Sequence, residues 1–249
     1  LKLSKQFPNK SKIGDVRDIQ SLRNTITGNL IINLAAVHRD DIDDKDAYFN
    51  TNVIGADNIA KVCAEFGIKK IVFTSSVAVY GFADPGTSEI DQIRPFNEYG
   101  KTKFAAEEIF RDWQKSGDNS LIIVRPTVIF GEGNRGNVYN LFRHIASGSF
   151  VMIGSGKNKK SIAFIGNVVA FLETCMTARK RYAVYNYVDS PDMTMNELVS
   201  LVRRKLKNKD NVGLRVPYML GISFGYFCDF IAMILKKKLS VSSIRVKKF

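Results

Sequence analysis

The sequence predicts a doubly wound α/β fold, in which a parallel sheet carries helices on both faces. Three short apolar runs have the length of buried strands, and longer stretches of good helix formers separate them along the chain. Strand and helix therefore alternate, which is the order that helical crossovers between parallel strands require. A chain of 249 residues with 45% hydrophobic side chains can bury one substantial core or two modest ones.

The first half of the chain supplies these elements in a regular order. Asn29–Ala36 is an apolar run typical of a buried strand, and a helix is expected from about Lys45 to Phe66. Gly67 ends that helix, since glycine readily adopts the left-handed conformation that follows a helix C-terminus. The next predicted elements are a strand at Ile71–Ser75, a turn-rich loop from Gly81 to Phe96, a helix at Tyr99–Lys115 and a strand at Leu121–Arg125.

The pattern becomes less regular after Pro126, where we place a domain boundary. Residues 1–126 form the sheet, and residues 127–249 form a second, smaller region whose later segments return to the sheet once or twice. The elements predicted there are a helix near Val138–Ser147, a strand at Phe150–Ile153, a helix at Asn167–Ala178, a strand at Tyr185–Val188 and a helix that Thr194 caps and that ends near Leu206.

Val216–Leu235 is the most apolar stretch of the chain, and Asp229 interrupts it. Its length approaches that of a transmembrane helix, but its glycines, Pro217 and the carboxylate within it argue against a spanning helix. Two interpretations stay open. The segment is either a helix buried against the second region, or a helix that lies in a membrane surface with Lys236–Lys238 on the lipid phosphates.

Charge is distributed unevenly along the chain. The formal net charge is +13, and residues 1–124 carry 16 basic and 17 acidic side chains whereas residues 125–249 carry 21 and 7. The basic half is either a solvated surface or a surface that attracts an anion, such as a diphosphate ligand or an acidic lipid surface. A zinc finger, a helix-turn-helix and an RNP-like motif are all missing from the sequence, so we do not expect a nucleic-acid partner.

The three cysteines indicate neither a metal site nor a disulfide. Cys63, Cys175 and Cys228 are far apart in sequence, in apolar surroundings and without a C-x-x-C motif or a neighbouring histidine. We therefore predict reduced core thiols in a cytoplasmic protein, and no metal.

Tyr99 and Lys103 carry the strongest chemical signal. They are four residues apart in a predicted helix, so they share one face, and an ammonium at Lys103 favours the ionised phenol of Tyr99. Such a pair is a proton-transfer base. Ser76 follows the apolar run Ile71–Phe73, and we expect its hydroxyl to donate a hydrogen bond to the substrate oxygen that the phenol contacts.

Tyr99 and Lys103 belong to a larger set of motifs. In chain order the set is Gly14–Asp18 (G-D-V-R-D), Asn33–Ala36 (N-L-A-A), Asn52, Ser76 followed by Val79–Gly81 (V-Y-G), Tyr99-x-x-x-Lys103 and Arg125–Thr127 (R-P-T). In that order and spacing the set resembles the extended short-chain dehydrogenase/reductase family, and within it the NAD-dependent epimerase/dehydratase branch. The resemblance implies a Rossmann-like fold, with residues 1–126 binding NAD and residues 127–249 mainly binding substrate.

The resemblance also implies roles for single residues. The residues that it places around NAD are Asp15, Val16, Ala35, Ala36, Ser75, Tyr99, Lys103, Pro126 and Thr127. Asp15 and Val16 would flank the adenine, and Lys103 would also hold the nicotinamide ribose hydroxyls. Asn52 would support a proton relay through bound water, and with Tyr99, Lys103 and Ser76 it completes the predicted catalytic set.

One part of the family pattern is missing from this sequence. The family begins with a strand and a Gly-rich pyrophosphate loop, and a second strand ends in the residue that selects NAD or NADP. Residue 1 corresponds to a point after that second strand. Without this first βαβ unit, we expect strand edges to be exposed and the helix N-terminus that binds pyrophosphate to be lacking. Function is therefore assigned to the parent protein, and an inactive scaffold is an alternative.

Val77 and Ala78 discriminate between the reactions of the branch. Dehydratases carry an Asp-Glu pair at these positions because elimination of water needs an acid and a base, so dehydration is not expected here. The remaining chemistry takes place at one carbinol carbon. We expect 4-epimerisation, and a 4-keto-sugar reductase with the same three catalytic residues is an alternative.

Further segments point to the substrate. The segments Ala36–Asp41, Thr127–Glu132, Asn134–Leu141 and Val241–Phe249 are similar to those of family members whose sugar is carried on a lipid diphosphate. The expected reaction interconverts GlcNAc and GalNAc on undecaprenyl diphosphate for O-antigen synthesis, at the inner face of the cell membrane, and a UDP-linked sugar is the alternative. The resemblance also implies a homodimer. The candidate substrate contacts are Ser76, Val77, Tyr99, Arg135, Asn137 and Lys160.

Overall fold

The computed structural model describes residues 6–38, 44–235, 243 and 246. The helices are α1 (Ile19–Thr25), α2 (Lys45–Tyr48), α3 (Gly55–Glu65), α4 (Glu98–Lys115), α5 (Asn137–Ser147), α6 (Ile165–Thr177), α7 (Met195–Lys207) and α8 (Tyr218–Leu235). The strands are β1 (Leu30–Asn33), β2 (Lys70–Thr74), β3 (Ser120–Pro126), β4 (Val128–Phe130), β5 (Met152–Ile153), β6 (Lys159–Lys160), β7 (Ile162–Phe164), β8 (Tyr182–Tyr187), β9 (Met193–Thr194) and β10 (Arg215–Val216). Short 3₁₀ turns cover Pro8–Lys10 and Val77–Tyr80, and a π-helical turn, Phe49–Ile54, joins α2 to α3.

The central element is a four-stranded sheet in which β1, β2, β3 and β8 lie side by side and all pairs are parallel. Phe73 of β2 pairs with Asn33 of β1 on one side and with Ile123 of β3 on the other. The apolar runs form strands here because they are buried on both faces, as in other parallel sheets. The carboxyl ends of the four strands therefore meet at one edge of the sheet.

Helices cover both faces of this sheet. On one face α1, α3 and α4 share a core with β2 and β3, and Val184 of β8 packs against that core. Because side chains alternate along a strand, Tyr185 and Tyr187 point to the other face. There the Phe171 ring of α6 lies 5.5 Å from Tyr185 and 5.0 Å from Tyr187, measured between ring centroids. The predicted doubly wound α/β architecture is confirmed.

Several element boundaries differ from those predicted, and side-chain hydrogen bonds explain the largest difference. β1 ends at Asn33 rather than near Ala36, because the Asn33 side chain accepts a hydrogen bond from the Ala35 N–H at 3.0 Å and turns the chain out of the sheet. The helix predicted from Lys45 to Phe66 is interrupted by the π-helical turn.

The chain divides into two compact units. The first contains residues 1–127 and 166–188, and the second contains residues 128–165 and 189–249. In the second unit α5 and α7 share a core of six buried side chains, namely Ile145, Phe150, Met152, Met195, Leu198 and Val199. The functional division between cofactor and substrate regions stays a prediction.

Two features of the second unit concern predicted elements. Thr194 caps α7, as the sequence predicts, and it also forms a capping box with Glu197.

In α8, Asp229 accepts a hydrogen bond from the Ser243 N–H at 3.0 Å. Within the described part of the chain, every helix is too short or too polar to cross a membrane. Lys236–Lys238 and the terminal motif from Val241 lie largely outside the described residues.

Candidate active site

Ser76 lies just beyond the carboxyl end of β2. Its backbone is extended, and its hydroxyl oxygen accepts a hydrogen bond from the Ala78 N–H at 3.1 Å, which caps the 3₁₀ turn Val77–Tyr80. The cap explains why the chain turns here instead of continuing the strand. Ser76 is half-buried, so its hydroxyl stays within reach of a ligand at this edge of the sheet.

Tyr99 and Lys103 lie one turn apart at the start of α4. Asn97 begins the helix, because its side chain accepts a hydrogen bond from the Gly100 N–H at 2.8 Å. Tyr99 is half-buried, whereas Lys103 is only 2% exposed and its Nζ lies 4.2 Å from the centroid of the Phe73 ring. Burial lowers the pKa of Lys103 to about 7, and the charge of Glu107 opposes that effect.

Gly100 brings α4 against the turn that follows Ser76. A Cβ at this position would lie 2.5 Å from the Ala78 carbonyl oxygen and 3.0 Å from the Pro95 Cβ. Only glycine allows the first turn of α4 to approach the Val77–Tyr80 turn this closely. The helix that carries Tyr99 and the turn that Ser76 caps are therefore in direct backbone contact. This role was not predicted from the sequence, where a glycine inside the first turn of a strong helix was the available signal.

Asn52 is a buried residue of the π-helical turn whose side chain hydrogen-bonds to two other segments. Its Oδ1 accepts a hydrogen bond from the Val37 N–H at 2.8 Å, and its Nδ2 donates to the Val37 carbonyl at 3.0 Å and to Thr102 Oγ1 at 2.9 Å. It is 4% exposed. It thereby ties the segment after β1 to the residue that precedes Lys103. Its predicted place in a proton relay stays a prediction, and both of its amide hydrogens already have acceptors.

The loop before α1 holds Asp15 and Val16. The Asp15 carboxylate accepts hydrogen bonds from the Arg17 guanidinium at 2.6–3.1 Å, which lower the pKa of Asp15 to about 2. The Val16 carbonyl accepts a hydrogen bond from the Asn58 side chain at 2.9 Å. The loop is therefore fixed to α3 while its carboxylate stays ionised near neutral pH.

The remaining predicted cofactor residues lie at or beside the carboxyl edge of the sheet. Ala35 and Ala36 follow β1 and are half-buried. Ser75 follows β2, and its hydroxyl donates to Glu107 at 2.6 Å, so a contact with NAD would fall to its main chain. Pro126 ends β3 and is followed by Thr127. In the part of the chain that the structure describes, the buried Thr127 Oγ1 has no hydrogen-bond partner.

A buried ionic network, which the sequence analysis did not predict, lies behind these residues. Glu107 accepts hydrogen bonds from Arg125 Nε at 2.9 Å and Nη2 at 2.6 Å, and both side chains are at most 2% exposed. Arg125 also donates to the Tyr80 hydroxyl, which in turn donates to Asn186 Oδ1 at 2.8 Å. The network thus joins α4, β3, β8 and the turn after Ser76.

The second unit carries the other predicted substrate contacts. Arg135 is exposed in the loop before α5, and the Asn134 side chain shapes that loop by accepting from the Gly136 N–H at 2.6 Å. Asn137 is exposed at the start of α5, and Lys160 is half-buried in β6, where it pairs with Met193. Three or more potential metal ligands do not cluster anywhere in residues 6–38 and 44–235.

The geometry defines a class of protein: a parallel α/β sheet with a Ser, a Tyr and a buried Lys at its carboxyl edge. The model of the NAD dependent epimerase/dehydratase family matches residues 3–187, and the chain belongs to that family of NAD-dependent enzymes.

Similar proteins agree with this membership. The chain is 47% identical over 247 residues to N-acetyl-alpha-D-glucosaminyl-diphospho-ditrans,octacis-undecaprenol 4-epimerase of Escherichia coli O157:H7, and the match covers 98% of this chain and 74% of that protein. It is 28% identical to UDP-glucose 4-epimerase of Vibrio cholerae, covering 76% of this chain and 60% of that protein. Among solved structures it resembles MoeE5 in complex with UDP-glucose and NAD, with 27% identity, a TM-score of 0.68, and coverage of 82% and 71% of the two chains.

The residues present fit NAD at the carboxyl edge of the sheet. The buried, unpartnered hydroxyl of Thr127 is the kind of group that a bound ligand satisfies. Lys103 supplies a cation and Ala35 and Ala36 supply small side chains after β1. When bound, NAD supplies a group that accepts a hydride and returns it.

Proposed function

We propose that the protein is a 4-epimerase that interconverts GlcNAc and GalNAc on a diphosphate carrier. The observation that carries the proposal is the close backbone approach at Gly100, which brings the first turn of α4, with Tyr99 and Lys103, against the turn that Ser76 caps. The 47% identity to a lipid-linked sugar 4-epimerase over nearly the whole chain supports the reaction and the carrier.

The three side chains account for proton movement at the sugar C4. The Lys103 ammonium, one turn along the helix, favours the ionised form of Tyr99, whose phenolate oxygen takes the proton of the C4 hydroxyl and becomes neutral. Ser76 donates a hydrogen bond to the same sugar oxygen. The 4-keto sugar then presents its other face, and Tyr99 returns the proton to the C4 oxygen of the epimer.

A lipid carrier is favoured over a nucleotide by the surface of the second unit. Residues 128–165 and 189–249, which form this unit, carry 17 basic and 6 acidic side chains. In α8, apolar side chains at several consecutive turns are exposed: Phe224 at 56%, Phe227 at 57%, Phe230 at 56% and Met233 at 68%. Basic charge and exposed aromatic side chains together are what a protein needs to lie at an anionic membrane surface. We therefore place the enzyme at the inner face of the cell membrane.

The substrate proposal is tested with full-length protein, NAD and labelled sugars. Lipid-linked GlcNAc should be converted to GalNAc and UDP-linked GlcNAc should not; conversion of the UDP sugar alone would assign the enzyme to the nucleotide-sugar class. Net consumption of added reduced nicotinamide would instead indicate a 4-keto-sugar reductase. Tyr99→Phe should abolish turnover, with Tyr185→Phe, on the face of the sheet that α6 covers, as the matched control. If Tyr99→Phe were as active as the wild type, Tyr99 would not be the catalytic base, and the alternative of a scaffold without catalysis at this site would be favoured.

The membrane proposal is tested by flotation with vesicles of phosphatidylethanolamine and phosphatidylglycerol. The wild-type protein should float with the vesicles, and Phe227→Ser with Met233→Ser should reduce that fraction severalfold. Leu206→Ser is the control, since Leu206 is 58% exposed on a different helix of the same unit. Equal flotation of all three proteins, or none by the wild type, would contradict the role of α8.

A further inference from the structure

Helix α4 aligns three functional groups on one face at successive turns. Tyr99, Lys103 and Glu107 are each four residues apart, so they follow one another along the helix axis toward the sheet interior. Tyr99 is half-buried, Lys103 is 2% exposed and Glu107 is fully buried. The proposed function uses the first two residues and leaves the third unexplained.

Glu107 is fixed by hydrogen bonds to both carboxylate oxygens. Oε1 accepts from Ser75 Oγ at 2.6 Å and from Arg125 Nε at 2.9 Å. Oε2 accepts from Arg125 Nη2 at 2.6 Å and from Arg111 Nη2 at 2.8 Å. Four donor atoms on three residues hold both oxygens of this carboxylate, so its charge has a fixed place one turn along α4 from Lys103.

Lys103 needs such a charge because its surroundings are apolar. Its Nζ lies over the Phe73 ring, and burial lowers its pKa to about 7. Glu107 acts in the opposite direction and raises that pKa. The other charged groups around Glu107 are Arg111 on α4 and Arg125 on β3, and both bind the carboxylate rather than the lysine.

We propose that Glu107 is a positioning residue for the Tyr99–Lys103 pair: anchored by Arg125, its carboxylate favours the protonated form of Lys103, one turn along α4 from Tyr99. The same carboxylate holds Ser75, and through it the turn that presents Ser76. The inference rests on the proposed function for its catalytic meaning, but the charge state of Lys103 is a property of the protein without sugar.

The first test measures Lys103 directly. In full-length protein with ¹³C-labelled lysine, the Cε signal that Lys103→Met removes is followed against pH. Glu107→Gln should move the Lys103 midpoint down by at least one pH unit. Glu108→Gln, which removes the same charge from the next and largely exposed position of α4, should leave it unchanged. An unchanged midpoint in Glu107→Gln would overturn the proposal, whatever the sugar substrate proves to be.

The second test is the pH dependence of kcat. Glu107→Gln should bring the alkaline fall in kcat to lower pH: with a midpoint one unit lower, kcat should fall roughly fiftyfold between pH 6 and pH 8, where wild type falls roughly tenfold. A purely structural defect lowers kcat equally at every pH. Glu107→Asp retains the charge and should restore the wild-type profile in part. If Glu107→Gln does not fold, the pair Glu107→Gln with Arg125→Met is compared with Arg125→Met alone, in which Arg111 still binds Glu107. The Lys103 midpoint should be lower in the pair, and equal midpoints in the two variants would contradict the proposal.

Discussion

Replacement of Gly100 by alanine tests whether close backbone approach builds the site. A Cβ 2.5 Å from the Ala78 carbonyl oxygen is closer than the 3.0 Å that such contacts essentially never fall below. The first turn of α4 must therefore retreat by at least about 0.5 Å from the turn that Ser76 caps. Overpacking costs about 1–3 kcal/mol, and alanine returns about 1 kcal/mol of helix propensity. The net loss of stability should thus be at most about 2 kcal/mol.

The effect on catalysis should exceed the effect on stability. A displacement of 1 Å costs about a hundredfold in rate, so a shift of half that size predicts a roughly tenfold lower kcat in Gly100→Ala. Unfolding in urea and steady-state kinetics measure the two effects separately. Gly117→Ala is the matched control, because its Cβ would lie 3.4 Å from the nearest atom, an ordinary contact. Gly117→Ala should keep the kcat of the wild type. If Gly100→Ala keeps it as well, the close approach of α4 does not build the site.

Three further predictions concern other parts of the structure. Asn52→Ala should lower the free energy of unfolding by about 2–3 kcal/mol in urea titrations, because it leaves the Val37 backbone groups and the Thr102 hydroxyl without their buried partner. Thr194→Ala should cost about 1 kcal/mol by removing the cap of α7, with no change in the Lys103 titration. Lys103→Met should gain stability relative to wild type as pH falls from about 10 to 7, by up to about 5 kcal/mol, and then show no further change. The reason is that burial lowers the pKa of Lys103 in the folded state, so between these pH values the unfolded wild type binds a proton that the folded wild type does not, and wild type loses stability only there.

Local patterns made elements of both units predictable from sequence. Leu121–Arg125 lies within β3 because a run of apolar residues fits a strand buried on both faces. Thr194 starts α7 because its side chain and that of Glu197 satisfy the free N–H groups of a helix start, and both residues are visible in the sequence. Such signals depend only on neighbours within a few positions.

Contacts between distant residues were not predictable in this way. Asn52 bonds to Val37 and to Thr102, 15 and 50 residues away, and nothing near it in the sequence indicates either partner. Glu107 appeared as one more charged residue on a helix of good formers, whereas its partner Arg125 comes from β3. The short pair of β4 and β7 likewise joins segments separated by the whole of α5.

These distant contacts explain why a tyrosine and a lysine four residues apart are not a site by themselves. The pair fixes the kinds of group and their shared helix face, which many helices provide by chance. Gly100 fixes how closely that face approaches the turn capped by Ser76, since the contact is between backbones and admits no side chain. Glu107 fixes the charge beside Lys103, since a lysine buried against Phe73 without a carboxylate loses its proton more readily. Gly100 thus sets a distance and carries no charge, so Gly100→Ala should leave the Lys103 midpoint unchanged while it lowers kcat.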